Sequence, residues 1–374
     1  MAKVIVIGGK NNHVNPNMGF ILANTLLDLE HEVACVMNST SVFKISKSGW
    51  EHIGGLKEPP TSVEMIAGAL DKYIEGVDAM HIAIPANPKV ELAYIRYAHS
   101  HGIYVPIISK GVLSDFWQEL KPVMHMVGRY GTVGGRALIL PWAKLQQLPG
   151  KQFLAYGYLN ATVECFFSGD GKSPHEMYDV VKRRSLAEPG SSDYVSCLNI
   201  EIGEDYVRKI PILVNEAMAG PDGPFMTSKM FDEYVSLKPE HIREIIRRGQ
   251  RFAFCISSVP GYMPLDVKKG MPGTLSAEFG GLTILGGFCN PKDDVYLDGW
   301  MKGGAKNGLK IVFQDGLNES GQTAIDGEGA GPDTIWSAII NMNEYLASRP
   351  AVASKRVDHA LSGALGQEDV RVSL

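Results

Sequence analysis

The first hundred residues alternate short runs rich in Val and Ile with stretches of helical periodicity, and this alternation constrains the fold most. Strands are predicted at residues 3–7, 32–37, 79–84 and 104–108, with helices at 18–29, 62–74 and 89–101. Strands separated by helices pair in parallel, because a crossover helix brings the chain back to the same end of the sheet. The pattern therefore predicts parallel βαβ units and an α/β fold.

A change of pattern after Lys121 divides the chain into two domains. Longer strand-like runs and amphipathic helices follow, and a last helix at 334–346 comes directly after a glycine cluster at 326–331. We predict a Rossmann-type nucleotide-binding domain over residues 1–137, completed by the segment 326–374. Residues 138–325 are predicted to form an α+β catalytic and dimerisation domain with a mainly open sheet.

Charge and cysteine content restrict the partners and the compartment. The 36 Lys and Arg residues against 41 Asp and Glu give a net charge of -5, which predicts a small-molecule partner and neither nucleic acid nor membrane. No apolar run reaches the roughly 18 residues of a transmembrane helix, and the apolar run at the start is too short for a secretory leader. Five cysteines without a CxxC pair predict free buried thiols in the cytoplasm and no zinc site.

The first predicted strand leads into a loop that only partly matches a dinucleotide site. Such sites use GxGxxG, because glycines let the backbone approach the pyrophosphate at the start of a helix. Here the middle glycine is absent and the loop is longer. The segment fits either a stretched phosphate loop, with Gly8, Gly9, Lys10 and Gly19 as cofactor-binding residues, or a turn without a ligand.

The residues after the second predicted strand bear on the choice between NAD and NADP. This strand ends in Asn38, Ser39 and Thr40, not in the acidic residue that holds a ribose 2′-OH. Hydroxyl groups followed by Lys44 and Lys47 suit a 2′-phosphate. The sequence therefore favours NADP over NAD.

Five motifs follow one another in the rest of the chain. They are Ser109-Lys110-Gly111, Thr132-Val133-Gly134-Gly135-Arg136, Gly157-Tyr158-Leu159-Asn160-Ala161-Thr162, Ala187-Glu188-Pro189 together with Gly203-Glu204-Asp205-Tyr206-Val207-Arg208-Lys209, and Gly327-Glu328-Gly329-Ala330-Gly331. In this order the chain resembles the homoserine dehydrogenase family over nearly its whole length, as a short form without an ACT domain. The resemblance implies NAD(P)-dependent interconversion of L-homoserine and L-aspartate 4-semialdehyde by a homodimer.

The resemblance also implies roles for individual residues. Lys209 would transfer the proton, with Lys110 as the neighbouring cation that lowers its pKa, and the substrate ammonium would meet Glu188 and Asp205. Thr162 and Asn160 would contact the rest of the substrate. The implied cofactor-binding residues of this part of the chain are Ser109, Gly327, Glu328 and Gly331. From spacing alone, Asp205 and Lys209 share one helix face and fit either an active site or a surface ion pair.

Departures from the family pattern leave two alternatives open. Tyr130 replaces the acid of the family's metal site and Arg136 replaces a glycine, so we expect no metal. The segment between Glu188 and Asp205 is longer than usual, and Pro211 is expected to kink its helix. The chain could act on a different amino-acid semialdehyde or hydroxy acid, or it could be a non-catalytic paralogue that binds a nucleotide or an amino acid.

Overall fold

The computed structural model describes most of the chain, as residues 1–8, 18–84, 87–133, 152–169, 172–184, 186–187, 190–218, 225–294, 297–299, 301, 306–315, 318–328 and 331–349. Two main sheets organise these residues. One contains the parallel strands of the first part of the chain, and the other is antiparallel throughout. No helix in the described part is long and apolar enough to cross a membrane.

The first sheet is Rossmann-type. Its strands are β1 Lys3–Gly8, β2 Glu32–Met37, β3 Ser41–Ser46, β4 Gly49–Gly55, β5 Ala79–Ala83, β6 Val105–Pro106 and β7 Val127–Gly128. Strands β2, β1 and β5 pair in parallel in that order. Single parallel bridges from β5 to Tyr104 and Ile107 continue the sheet towards β6, which pairs in parallel with β7.

A hairpin extends the other edge of this sheet, where the sequence analysis predicts no element. Strand β3 runs antiparallel to β2, and β4 runs antiparallel to β3. Gly49 closes the tight turn between them with a φ of 137°, a conformation that favours glycine. The helix Val63–Leu70 follows the hairpin and leads to the parallel strand β5.

The described helices cover both faces of the first sheet and one face of the second. They are α1 Met18–Asp28, α2 Val63–Leu70, α3 Pro88–Ser100, α4 Gly111–Asp115, α5 Trp117–Leu120, α6 Ala161–Phe167, α7 Pro174–Arg183, α8 Tyr194–Ile200, α9 Val207–Met218, α10 Pro239–Arg247 and α11 Gly331–Ser348. Alternate residues of β1 point to opposite faces. Ile5 and Ile7 pack in one core with α2 and α3, and Val4 and Val6 pack in another with α1 and α11.

The second sheet has seven strands in the order β14-β13-β8-β10-β12-β11-β9. They are β8 Gln152–Tyr158, β9 Asp232–Tyr234, β10 Arg251–Ser257, β11 Thr274–Phe279, β12 Leu282–Cys289, β13 Lys306–Asp315 and β14 Asn318–Glu328. One face, with Phe153 and Phe254, belongs to the same core as α6, α9 and the first sheet. This shared core joins the two sheets.

Helix α11 returns the chain from the second sheet to the first. Its Ile339 packs in the core of β1 and α1, and the ring of its Tyr345 stacks on Tyr104 with the centroids 4.0 Å apart. The division into domains at residues 137 and 326 stays a prediction, since residue 137 lies outside the described residues and β14 spans residue 326. The prediction of buried free thiols is confirmed for all five cysteines.

A fully buried histidine in β5 makes stability depend on pH. His81 has no exposed surface, and its Nε2 lies 3.4 Å from the sulfur of Met342 on α11. Burial, with a smaller contribution from His31, lowers the pKa of His81 to about 3. As the pH falls below the usual histidine pKa, the unfolded chain takes up a proton that the folded chain does not, so the free energy of unfolding falls.

We expect this single group to remove about 2 kcal/mol of stability between about pH 7 and pH 5, since each unit of pKa difference is worth ~1.4 kcal/mol. Urea unfolding of the wild type and of His81→Leu at both pH values measures it. The variant should lose about 2 kcal/mol less than the wild type over this interval. An equal loss in both proteins would contradict the assignment.

Candidate active site

Lys110 lies where a parallel sheet binds its ligands. It follows β6, and the carboxyl ends of β1, β5 and β6 lie at the same edge because these strands are parallel. Lys110 is also the residue immediately before α4. Its side chain is 27% exposed.

A buried glutamate of α3 holds the backbone next to Lys110. The Glu91 carboxylate accepts hydrogen bonds from the Val112 amide at 2.9 Å and the Asn87 amide at 2.7 Å. Burial raises the pKa of Glu91, against the effect of these hydrogen bonds. A Cβ on Gly111 would come within 2.9 Å of the Pro88 ring and 3.2 Å of Glu91. The close packing explains why glycine follows the lysine.

Asp205 and Lys209 lie on the helical segment between α8 and Met218, about a hundred residues after Lys110, and meet it. Asp205 Oδ1 is 2.9 Å from Lys110 Nζ, and Asp205 Oδ2 is 2.6 Å from Lys209 Nζ. Lys209 also donates a hydrogen bond to the carbonyl of Leu159. Asp205 and Lys209 are 8% and 6% exposed. The two residues therefore form a buried pair and not the surface ion pair that their spacing alone also allowed.

A π-helix, Glu201–Tyr206, connects α8 to α9 and carries Asp205. Glu201, Asp205 and Lys209 are spaced by four residues and lie on one side of this helical segment, since Asn160 contacts both Glu201 and Asp205, and Asp205 contacts Lys209. Helix α9 continues through Pro211 to Met218. Pro211 has no N–H group to donate to the carbonyl of Val207, four residues earlier. The π-helix ends at Tyr206, immediately before that residue.

Asn160 connects β8 to this helix. It is the N-cap of α6, where its Oδ1 accepts a hydrogen bond from the Val163 amide at 2.9 Å. This bond fixes the orientation of the amide group. Its Nδ2 then donates to Asp205 Oδ2 at 2.8 Å and to Glu201 Oε2 at 2.6 Å. Asn160 therefore belongs to the buried charge cluster, and its predicted contact with the substrate stays a prediction.

The charges in this cluster shift one another's protonation. Burial alone would raise the pKa of Asp205, but Lys110 and Lys209 more than offset it and hold the pKa below the usual range of a carboxyl group. Burial lowers the pKa of Lys209, Asp205 opposes the change, and Lys110 adds to it. The result is an ionised carboxylate beside a lysine that gives up its proton more readily than an exposed one.

The remaining predicted substrate residues lie nearby or outside the described residues. Thr162, in the first turn of α6, donates its hydroxyl hydrogen to the carbonyl of Leu186 at 2.7 Å. This bond ties α6 to the segment that precedes Glu188. Glu188 itself lies outside the described residues, and its role stays a prediction.

The predicted cofactor residues of the first sheet gather at its carboxyl edge where they are described. Gly8 ends β1 and Gly19 is buried in the first turn of α1, whereas Gly9 and Lys10 lie outside the described residues. Asn38 follows β2 and accepts hydrogen bonds through Oδ1 from the amides of Thr40 at 2.9 Å and Ser41 at 2.8 Å. The side-chain oxygen of Asn38 therefore accepts hydrogen bonds within the turn between β2 and β3.

Hairpin β3–β4 changes the argument for a 2′-phosphate. Because β3 returns antiparallel to β2, Lys47 lies at the far end of the hairpin, about 20 Å along the strand from Ser41 at ~3.4 Å per residue. Lys44 is exposed partway along β3. Ser39 and Thr40 remain at the sheet edge, so the hydroxyl groups keep the predicted position and the second lysine does not.

The other predicted cofactor residues flank the site. Ser109 is buried next to Lys110. Gly327 and Glu328 end β14, and Gly331 begins α11. Helix α11 is fixed to the first sheet where the Asn341 Oδ1 accepts a hydrogen bond from the Tyr130 amide at 2.7 Å. No group of three His, Cys, Asp or Glu side chains that could hold a metal ion occurs within the described ranges.

Sequence reasoning missed Glu201 and Glu91, which support the site from opposite sides. Glu201 is 2% exposed and shares the amide of Asn160 with Asp205. Its signal was present in the sequence, because Glu201, Asp205 and Lys209 are spaced by four residues. Glu91 gives no such signal, since its partner Val112 is 21 residues away in the chain.

Comparisons with known proteins support the fold. No family model and no curated protein matches the chain. A hyperthermophilic archaeal homoserine dehydrogenase in complex with NADPH matches with a TM-score of 0.56 at 12% identity, covering 94% of this chain and 99% of that one. A homoserine dehydrogenase from Thiobacillus denitrificans matches with a TM-score of 0.55 at 17% identity, covering 93% and 74%.

A third solved structure, the S. aureus homoserine dehydrogenase at pH 8.5, matches with a TM-score of 0.51 at 13% identity, covering 95% of this chain and 80% of that one. All three align with both sheets, since each covers more than nine-tenths of this chain. The predicted fold class is therefore confirmed. The chain has the α/β fold of the homoserine dehydrogenases, with a Rossmann-type sheet and a separate antiparallel sheet.

Proposed function

We propose that this protein is an NAD(P)-dependent oxidoreductase that interconverts L-homoserine and L-aspartate 4-semialdehyde. The observation that carries the proposal is the buried cluster of Lys110, Asp205 and Lys209 at the carboxyl edge of the Rossmann-type sheet. The fold shared with homoserine dehydrogenases supports the same reaction class. A structural ion pair would not need two lysines on one carboxylate at the edge where such sheets bind ligands.

The first sheet fits a dinucleotide. Helix α1 begins at the carboxyl end of β1 and returns the chain to the parallel strand β2, which is the arrangement that presents a helix N-terminus to a pyrophosphate. Gly8 and Gly19 would border the phosphates, and Ser39 and Thr40 would face the adenosine ribose. A bound nicotinamide supplies the hydride acceptor.

Lys209 would move the proton of the reaction. Oxidation of a primary alcohol removes a hydride from the carbon and a proton from the hydroxyl group, so it needs a base within reach of the hydroxyl, and a neutral lysine amine can serve as that base. The lowered pKa of Lys209, caused by burial and by Lys110, increases the fraction of that neutral form. Lys110, whose side chain is 27% exposed, would orient the hydroxyl oxygen of the substrate.

A substrate panel tests the proposal. With L-homoserine, D-homoserine and 4-hydroxybutyrate offered with NADP or NAD, we expect kcat/KM for L-homoserine to exceed that for 4-hydroxybutyrate by about 10²-fold, because a site built for an ammonium group rejects an analogue that lacks it. Production of reduced dinucleotide in a spectrophotometric assay measures the rates.

Two other outcomes would replace the proposal. A higher kcat/KM for another hydroxy acid would favour the alternative with a different substrate. The non-catalytic paralogue would be favoured if calorimetric titration showed no binding of either dinucleotide. The protein used must have an intact melting transition.

A further inference from the structure

A second buried carboxylate accompanies Asp205, and the proposed proton transfer does not use it. Glu201 lies one turn before Asp205 on the π-helix and is 2% exposed. Burying a charge is costly unless it is paired and hydrogen-bonded. A glutamate that contributed only packing at this position would be better replaced by an apolar side chain, so its charge calls for an explanation.

The hydrogen bonds of Asn160 join Glu201 to the proton-transfer pair. The Oδ1 atom of Asn160 is occupied by the Val163 amide, so both hydrogens of Nδ2 point towards the helix. They go to Glu201 Oε2 at 2.6 Å and to Asp205 Oδ2 at 2.8 Å. The same Asp205 oxygen lies 2.6 Å from Lys209 Nζ. Glu201, Asn160, Asp205 and Lys209 thus form one continuous chain of contacts.

We propose that Glu201 is a positioning residue, which holds Asn160 against Asp205 and supplies the second negative charge that balances the two lysines of the cluster. Among the described residues of the cluster, Lys110 and Lys209 as cations and Asp205 and Glu201 as anions sum to zero. Without Glu201 these described groups would carry a net positive charge.

Within the described part of the chain, the charged groups that act on Lys209 are Asp205, Lys110 and Glu201, and they fit this assignment. The π-helix contributes Asp205 and Glu201, and the residue before α4 contributes Lys110. The segment between β8 and α6 contributes only dipoles, since the Leu159 carbonyl accepts from Lys209 and the Leu159 amide donates to the Tyr206 hydroxyl at 3.0 Å. Glu201 acts on Lys209 in the direction opposite to Lys110 and raises its pKa.

The substitution Glu201→Gln removes the negative charge of residue 201 and keeps the size of its side chain. The glutamine side chain has the same length, and its carbonyl oxygen still accepts the hydrogen bond from Asn160. We expect the protonation midpoint of Lys209 to fall by about 1 pH unit, because a nearby opposite charge is removed. The conservative Glu201→Asp keeps the charge and should shift the midpoint by less than half as much.

The midpoint is measured by NMR on full-length protein with isotope-labelled lysine, with the Lys209 signal assigned by its loss in Lys209→Met. An unchanged midpoint in Glu201→Gln would overturn the proposal, as would an equal shift in Glu201→Asp. Should Glu201→Gln not fold, Glu201→Met carries the same test, because it also removes the charge and fills the same space.

This inference rests on the proposed function only in assuming that Lys209 transfers a proton. The role of Glu201 and the proposed function can therefore fail separately. If the enzyme oxidises L-homoserine, the acid limb of its pH–rate profile should move to lower pH by the same amount as the NMR midpoint. If no substrate is oxidised and the midpoint still moves, the role of Glu201 stands and the proposed function fails. If the enzyme is active and neither the limb nor the midpoint moves, the role of Glu201 fails alone.

Discussion

Replacement of Lys209 by methionine is expected to lower kcat for oxidation of L-homoserine by about 10²–10⁴-fold, the usual contribution of a positioned general base. Methionine has a similar volume and fills the buried space without a titratable group. The affinity for dinucleotide should stay within about three-fold, because Lys209 pairs with Asp205 and Leu159 and not with the residues that would hold the cofactor. Steady-state rates and calorimetric titration measure the two quantities.

The exposed Lys182 on α7 provides the matched control. Lys182→Met removes a lysine that contacts only the ring of Tyr178 at 5.3 Å among the described contacts, so it should keep the rate of the wild type. Full activity in Lys209→Met would remove the proton-transfer role from Lys209. Equal losses in both variants would indicate an unspecific effect of removing a lysine.

Replacement of Asp205 by asparagine is expected to destabilise the fold as well as abolish activity. Asp205 is the carboxylate that both lysines contact, at 2.9 and 2.6 Å, and removing one partner of a buried charge pair usually costs about 3–5 kcal/mol. Because the pKa of Asp205 is held below its usual range, this contribution is present at all pH values above the unfolded pKa and is lost as the pH falls through the folded pKa. Urea unfolding at neutral pH measures the loss.

A double variant distinguishes charge balance from packing. Asp205→Asn combined with Lys110→Met removes one cation along with the anion, so we expect it to recover part of the free energy of unfolding while activity stays absent. An Asp205→Asn variant as stable as the wild type would contradict the account of the cluster. A double variant less stable than Asp205→Asn would assign the effect to packing instead.

The parallel part of the first sheet could be predicted because its signals are local. Strands β1, β2 and β5 are buried runs of Val, Ile and Met, and buried parallel strands read as continuous apolar segments. Lys110, Asp205 and Lys209 are predicted as site residues from a resemblance in motif order, and they lie together in the structure. Gly157 in one of these motifs is explained by packing, since a Cβ there would collide with the ring of Phe254.

The parts that were missed depend on distant contacts or on small changes in backbone geometry. Strands β3 and β4 are as long as β1, β2 and β5 but carry exposed residues such as Lys44 and Trp50, so no buried apolar run marks them. Asp205 lies on a π-helix, whose i→i+5 hydrogen bonds leave no mark in the hydrophobic pattern of the sequence. Asn160 reaches Glu201 across 41 residues of chain, a separation that no local pattern encodes.

The transfer of deuterium tests the central claim most directly. L-homoserine with deuterium on its carbinol carbon is incubated with the protein and NADP, and the reduced dinucleotide is examined by mass spectrometry. Hydride transfer within one site predicts that the reduced dinucleotide carries one deuterium and that Lys209→Met forms it far more slowly. Unlabelled reduced dinucleotide, or none from protein that binds NADP, would contradict the account.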